Sequence, residues 1–230
     1  NAVLLRPLPF KDPDGRVMVW ERRASSNDAN IPISGHEFAN WQEHASDFEG
    51  LTIIQGDSFN LTGAGEPVTI NALRVSADFF SVLGVPPVTG RGFAAGEDGA
   101  GGSKIAVLNE KLWKSRFGAD PEIVGQAVTL NNQGYLVVGV MPALEFSPDV
   151  WVPIDLAGEI QKVGKHSHQV FGRLKPGVTM AQAQVTLEQL AHQLEQQSPN
   201  SNTGHGVHTI ALQDNTTGPV RGALLILFGA

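Results

Sequence analysis

Apolar positions recur with helical spacing in two stretches of the chain, and a strand-like run lies on each side of both stretches. The first helix is predicted to begin after Ser34, because Ser34 and Glu37 have the spacing of a capping box. Its apolar residues lie three or four positions apart, at Phe38, Trp41, Ala45 and Phe48. Gly50 is predicted to end the helix, and β-branched and aromatic residues predict strands at residues 16–20 and 51–55.

The last third of the chain repeats this order of strand, helix and strand. Strands are predicted at residues 169–174 and 207–212, and a second capping box, Thr179 with Gln182, begins the helix between them. One apolar face of this helix is predicted from Met180, Ala183, Leu187, Leu190, Ala191 and Leu194. The two ends of the chain together give β-α-β…β-α-β, the order of a split ferredoxin-like sheet.

Residues 59–165 differ in composition and pattern from the two ends of the chain. They contain many short strand-like runs, glycines and prolines, and only short helical patterns. A hairpin is predicted at Asn131-Asn132-Gln133-Gly134, between two such runs. We therefore predict an α+β fold in which residues 16–58 plus 166–217 form a discontinuous subdomain. A strand-rich α+β subdomain of residues 59–165 is predicted to be inserted into it.

Both ends of the chain are apolar. Residues 1–15 are interrupted by prolines, which is typical of a segment that leaves a membrane helix, and an uncharged apolar run follows Arg221. A membrane-spanning helix needs about 20 such residues, so we interpret residues 218–230 as the start of one. A buried C-terminal strand or helix stays open as the alternative for this run.

Charge and cysteine content exclude several classes of function. The net charge is −7, and the single basic cluster, Arg22-Arg23, ends an apolar run. Nucleic acid is therefore not expected as a partner, because a nucleic-acid interface needs clustered Lys and Arg. The chain has no cysteine, which excludes disulfides, thiolate metal sites and cysteine nucleophiles without indicating the compartment.

A hydrolase would need a nucleophile or a metal ion, and the nearest pattern for one is incomplete. His36 and Glu37 begin the zinc-protease pattern H-E-x-x-H, but Asn40 stands where the second histidine belongs. Glu37 is also assigned to the cap of the first predicted helix. The sequence therefore predicts no catalytic residues, and hydrolysis through His36, His166 and His168 is kept only as an alternative.

Two histidine pairs could contribute to a metal site. His166 and His168 alternate, an arrangement that on a strand would point both rings to one face, and His205 and His208 form a second pair. No carboxylate stands at a fixed spacing from either pair. We therefore predict no metal-binding residues, no cofactor-binding residues and no cofactor.

Six short motifs follow one another along nearly the whole chain. They are Leu4-Leu5-Arg6-Pro7-Leu8-Pro9-Phe10, Phe38-Ala39-Asn40-Trp41, Arg74-Val75-Ser76-Ala77-Asp78-Phe79-Phe80-Ser81-Val82-Leu83-Gly84, Leu112-Trp113-Lys114-Ser115-Arg116-Phe117-Gly118, Val138-Gly139-Val140-Met141-Pro142 and Arg173-Leu174-Lys175-Pro176-Gly177-Val178-Thr179. Each motif alone is weakly specific. In this order they resemble the MacB-like periplasmic core domain of ABC-transporter permeases. The residues within the motifs resemble the orphan-permease branch of that family, whose ATPase is not fused to the permease.

The resemblance implies a non-enzymatic, extracytoplasmic domain at the cell inner membrane, placed between the first two transmembrane helices of a permease. It implies a porter-like part with an inserted sabre-like part. It also implies a homodimeric permease, driven by a separate or cytoplasmic ATPase subunit, that relays motion to a periplasmic adaptor or to substrate. The alternative from another class is a periplasmic ligand-binding module that uses the cleft between the two subdomains.

Overall fold

The structure, a computed structural model, describes residues 15–23, 30–144 and 147–212. The predicted membrane-exit segment, apart from Gly15, and the predicted start of a membrane helix at residues 218–230 lie outside the described residues. Within those residues, no helix combines the length and the apolar character that a membrane crossing requires.

The described helices and strands are, in chain order, β1 (Arg16–Arg23), β2 (Ile33–Ser34), α1 (Gly35–His44), β3 (Phe48–Thr62), β4 (Val68–Val75), α2 (Phe79–Leu83), β5 (Thr89–Gly90), β6 (Ile105–Asn109), α3 (Glu110–Phe117), β7 (Ala127–Leu130), β8 (Gln133–Met141), β9 (Val150–Pro153), α4 (Leu156–Ile160), β10 (His166–Leu174), α5 (Met180–Gln197), α6 (Pro199–Asn202) and β11 (His205–Ala211). The described residues form two compact units, the first with those up to residue 51 and from residue 163 onward and the second with those of 52–162.

The first unit has the predicted ferredoxin-like arrangement. Its strands are ordered β11-β1-β10-β3, and β1 is antiparallel to both of its neighbours. The strands of the two β-α-β halves therefore alternate across the sheet, because β1 and β3 come from the first half and β10 and β11 from the second. This confirms the predicted α+β class with a split β-α-β…β-α-β unit.

Both predicted capping boxes are present in the first unit. The Glu37 amide donates to Ser34 Oγ at 3.2 Å, and the Ser34 amide donates to Glu37 Oε2 at 2.9 Å. At the start of α5 the Thr179 amide donates to Gln182 Oε1 at 2.9 Å. Each helix start is therefore fixed by local sequence alone.

The buried faces of α1 and α5 follow the predicted apolar spacing with two exceptions. On α5, Met180 is 39% exposed, because it is the first residue of the helix and precedes the buried stripe. The first helix ends at His44, with Ala45 as its C-cap, rather than at Gly50. Phe48 is buried as the first residue of β3 instead of the last position of a helical face.

The boundaries of the units differ from those expected from the sequence. Residues 51–55 were expected to form a short strand, with the inserted subdomain starting at residue 59. In the structure β3 is one strand of 15 residues, and the first boundary, between Leu51 and Thr52, falls inside it. The second boundary lies between Lys162 and Val163, rather than after residue 165.

The second unit is the strand-rich one. Its strands run in the order β3-β4-β9-β6-β8-β5, and β7 pairs with β3 and β8. The β7–β8 hairpin turns at Asn131 and Asn132, whose φ angles of 48° and 60° are those of a two-residue type I′ turn. The predicted hairpin is confirmed.

Alternating side chains of β6 belong to two separate apolar clusters of the second unit. Ala106 and Leu108 pack with one cluster, whereas Ile105 and Val107 pack with the other. Successive side chains of a strand point to opposite faces of a sheet. Both faces of the sheet are therefore covered, which explains why the first four residues of β6 are all apolar.

We predict that Gly139→Ala destabilises the second unit. A methyl group on Gly139 would overlap the backbone carbonyl oxygen of Arg91 and lie 2.8 Å from its backbone nitrogen, so the backbone next to β5 would have to move. The expected loss in free energy of unfolding is about 1–3 kcal/mol, measured by urea denaturation.

Gly134→Ala in the same strand is the matched control. No atom lies within 4 Å of the position that its methyl group would take, so the expected change is within about 0.5 kcal/mol. Equal losses for the two variants would contradict the packing explanation.

Candidate functional site

Four side chains from four elements of the first unit converge on one point. They are Glu21 of β1, Glu37 of α1, His166 of β10 and His205 of β11. One nitrogen or carboxylate oxygen from each lies within 4.8 Å of the corresponding atoms of the other three. These four residues are called the His–Glu cluster below.

The sheet order brings the members of the His–Glu cluster together. Arg23 of β1 pairs with His205 of β11, so the His205 ring emerges two positions along the ladder from Glu21. His166 pairs with Ser34, the residue that caps α1, and Glu37 stands in the first turn of that helix. Only the folded sheet can make these four residues neighbours.

Glu21 is the centre of the His–Glu cluster. Its Oε2 lies 2.6 Å from His166 Nδ1, and its Oε1 lies 3.1 Å from His205 Nδ1. The Nε of Arg23 donates to Oε1 at 3.3 Å. Oε2 of Glu37 is 3.6 Å from His166 Nδ1 and is itself held by the amide and the hydroxyl of Ser34.

The His–Glu cluster is largely shielded from solvent. The side chains of Glu21 and Glu37 are 2% and 7% exposed, and those of His166 and His205 are 13% and 12% exposed. Buried carboxylates are costly unless they are paired. The contact with Glu21 is the main reason why the pKa of His166 is raised above its ordinary value; burial opposes this effect and Glu37 adds to it.

A polar groove leads to one edge of the His–Glu cluster. Its volume is about 440 Å³, and Arg23, His192 and His205 are among the residues that line it. Of the four members, His205 lines the groove, and its side chain is 12% exposed. A small ion could therefore reach the cluster without passing through the apolar core.

The other candidate residues do not join the His–Glu cluster. His168 is fully buried, with Nδ1 at 3.3 Å from the carbonyl oxygen of Ile33. The register between β10 and β2 shifts between His166 and His168, and His168 does not belong to the group of ionisable residues that contains His166. His208 pairs with Trp20, three positions along the ladder from His205 and therefore on the opposite face. His36 is half-buried on α1.

Sequence reasoning named three members of the His–Glu cluster but missed Glu21. In the sequence, no carboxylate stands at a fixed spacing from either histidine pair. The carboxylates belong to β1 and α1, and no spacing rule links these elements to β10 and β11. The available signal was Glu21 itself, an acidic residue at the sixth position of a strand whose first six residues are all buried.

Comparison with known proteins gives a consistent result. The profile of the MacB-like periplasmic core domain matches residues 6–190. The macrolide export ATP-binding/permease protein MacB of Burkholderia thailandensis is 28% identical over 131 residues, which cover 54% of this chain and 20% of that protein. The chain thus spans about a fifth of the length of this curated relative.

Three solved structures share the fold. The periplasmic region of MacB from Actinobacillus actinomycetemcomitans has a TM-score of 0.60 at 17% identity, covering 90% of this chain and 92% of that one. A domain of a permease protein from Porphyromonas gingivalis has a TM-score of 0.65 at 14% identity, covering 90% and 93%. The extracellular domain of the noncanonic ABC-type transporter YknZ from Gram-positive bacteria has a TM-score of 0.61 at 16% identity, covering 84% and 99%.

We predict that Glu21→Gln lowers the pKa of His166 toward its ordinary value in chelator-treated protein. The charged carboxylate favours the imidazolium form, and the neutral amide does not. The measurement is an NMR titration of the histidine rings, with His166→Gln used to assign the resonance. Glu49→Gln, which removes the partner of Arg173 at 3.4 Å, is the control and should leave the pKa of His166 unchanged.

The same pKa shift gives stability a defined pH dependence. Because the pKa of His166 is higher in the folded state than its value of 6.5 without partners, its pair with Glu21 stabilises the fold fully below that value. The contribution is lost as the pH rises through the folded pKa. A stability difference between wild type and His166→Gln that grows with pH would contradict this assignment.

Proposed function

This chain belongs to the MacB-like periplasmic core domain family, and we propose that it relays ATP-driven motion of membrane helices to partners or substrate outside the membrane. It is the periplasmic domain of a MacB-like ABC-transporter permease, and hence a transporter component.

One observation carries the proposal: the strands that begin and end the described chain share one end of one ladder. Val17, near the start of β1, pairs with Ala211, the last residue of β11. The ladder then runs through seven residue pairs to Arg23 and His205. The segments before β1 and after β11 therefore meet the first unit at neighbouring points.

This geometry suits a domain held by two membrane helices. In the family that this chain resembles, the domain lies between the first two transmembrane helices, so each helix would act on one of the paired strands. Movement that the helices share would carry the first unit with them as a body. Movement of one helix against the other would pull on the ladder at its Val17–Ala211 end. To separate the two strands, that movement would have to open the residue pairs one after another from this end.

Apolar packing makes the Val17–Ala211 end of the ladder resistant to opening. Val17 and Val19 are 1% and 0% exposed, and burial of each such side chain stabilises the fold by about 1.5–3 kcal/mol. Opening the first pairs would expose these side chains to water. We infer that the first unit transmits helix motion instead of absorbing it by local unfolding.

The remaining assignments come from the family to which the chain belongs. We propose that the first unit is the porter-like part and the second unit the inserted sabre-like part. The permease would lie in the cell inner membrane and function as a homodimer, with a separate or cytoplasmic ATPase subunit. A periplasmic adaptor or the transported substrate would receive the motion, and the domain itself would perform no chemistry.

The test is to soften both connections in the full-length permease. Six-residue Gly-Ser insertions between Asp14 and Gly15 and between Leu212 and Gln213 would each add a flexible reach of about 13 Å. Because this chain has no cysteine, a dye on Gln193→Cys, in an otherwise cysteine-free permease, can report its distance to acceptor lipids by energy transfer. We expect the ATP-dependent change in transfer to disappear with the insertions while ATP hydrolysis continues.

The same insertion between Gly65 and Glu66, at the exposed tip between β3 and β4, is the control and should preserve the ATP-dependent change. If the terminal insertions also preserve it at full amplitude, the domain is not moved through these connections. If no ATP-dependent change occurs in the unmodified permease, the relay proposal itself is wrong.

A further inference from the structure

We propose that the His–Glu cluster, Glu21, Glu37, His166 and His205, is a binding site for one divalent transition-metal ion of the Zn²⁺ class. This inference concerns the first unit alone and is independent of the relay proposed above. It rests on the positions of the four donor groups, on three buried atoms among them that lack hydrogen bonds, and on their charge.

The separations within the His–Glu cluster suit a shared ion. Zinc lies about 2.0–2.2 Å from imidazole nitrogen and carboxylate oxygen, so ligand atoms around one tetrahedral ion are about 3.3–3.6 Å apart. The separations of His205 Nδ1 from Glu21 (3.1 Å) and of His166 Nδ1 from Glu37 (3.6 Å) are close to that spacing, whereas His166 Nδ1 would have to move away from Glu21 Oε2, which lies at 2.6 Å. All four donors lie within 4.8 Å of one another, so small side-chain movements would complete the shell.

Three donor atoms of the His–Glu cluster lack the hydrogen bonds that burial normally demands. Among the described residues, no hydrogen-bond partner meets Oε2 of Glu21 or Nδ1 of His166 and His205, although all three atoms are buried. The two nitrogens lie 2.6 Å (His166) and 3.1 Å (His205) from the Glu21 carboxylate. Buried polar atoms are rarely left in this state, and lone pairs that converge on one point are what a metal ion requires.

Charge points to a cation. With neutral imidazoles the His–Glu cluster carries two carboxylate charges, and Arg23 supplies one positive charge at its edge, through the 3.3 Å contact with Glu21. One negative charge then remains in a largely buried site. A divalent ion would neutralise the two carboxylate charges.

Donor chemistry selects the class of ion. Two imidazole nitrogens with two carboxylate oxygens suit Zn²⁺ and its transition-metal neighbours, whereas Ca²⁺ and Mg²⁺ prefer a shell made of oxygen alone. The hydrogen bonds from Ser34 to Glu37 and from Arg23 to Glu21 orient the carboxylates, as the partners of metal ligands commonly do.

A bound ion would join β1, β10, β11 and α1 at one point. That point lies toward the Arg23–His205 end of the β1–β11 ladder, away from Val17 and Ala211. The ion would thus stabilise the ladder at its Arg23–His205 end. The expected consequence is a higher melting temperature of the chain in the presence of the ion.

The test is calorimetric titration of the chelator-treated, tag-free 230-residue chain with Zn²⁺ at pH 7.5. We expect one ion per chain with a Kd of about 1 µM or tighter and a rise in Tm. Ca²⁺ and Mg²⁺ should produce no such rise. His166→Gln and His205→Gln should each weaken Zn²⁺ binding at least about tenfold, and the double variant should abolish saturable binding.

His192→Gln is the matched control, because His192 lines the same groove but does not belong to the His–Glu cluster. Its Zn²⁺ affinity should equal that of wild type. The absence of saturable Zn²⁺ binding by wild type, or equal affinity in the double variant, would overturn the proposal and indicate only adventitious surface binding.

X-ray absorption at the zinc edge of the wild-type protein keeps the test decisive if a variant fails to fold. We expect scattering from two imidazole rings and from oxygen ligands. A bound ion without imidazole scattering would exclude this site. Neither result depends on transport, so a failure here leaves the relay proposal untouched.

Discussion

The antiparallel ladder between β1 and β11 is the interaction on which the first unit depends. It places the last strand of the described chain beside the first, and it leaves the other edge of β1 to β10. Without it β11 would lose its only neighbour in the strand order, and only the β1–β10 and β10–β3 pairs would join the two β-α-β halves. Their interdigitation covers one sheet with the two helices, α1 and α5, which contact each other.

The two ends of this ladder are stabilised by different forces. At the Val17–Ala211 end the β1 side chains are apolar and buried, so opening would expose hydrocarbon to water. Toward the other end, Glu21 is buried among ionisable groups, while Arg22 and Arg23 are exposed. Apolar burial is insensitive to pH and ions. The polar end responds to both, because a proton on His166 or a cation among the donors changes its energy.

The sequence predicted what is encoded locally. Ser34 with Glu37 and Thr179 with Gln182 fix two helix starts, and the two asparagines at 131 and 132 fix a hairpin, because each feature needs only neighbours within a few residues. The strand order of the first unit also followed, since two β-α-β runs have few ways to share a sheet. The end of β3 could not be predicted from the sequence. Gly56 and Asp57 suggest a turn, but pairing with β4 keeps the strand extended past both residues.

The His–Glu cluster escaped the sequence for a physical reason of the same kind. Spacing rules detect ligands that share one helix or one strand, and each member of the cluster stands on a different element. Only the antiparallel register, with Glu21 opposite Val207 and His205 opposite Arg23, sets the rings against the carboxylates. A fold that merely needed this register could have used apolar side chains, which often stabilise as well as a buried ion pair does. Ionisable groups at all four positions therefore favour a role that apolar residues cannot fill, which is the binding of a charged species.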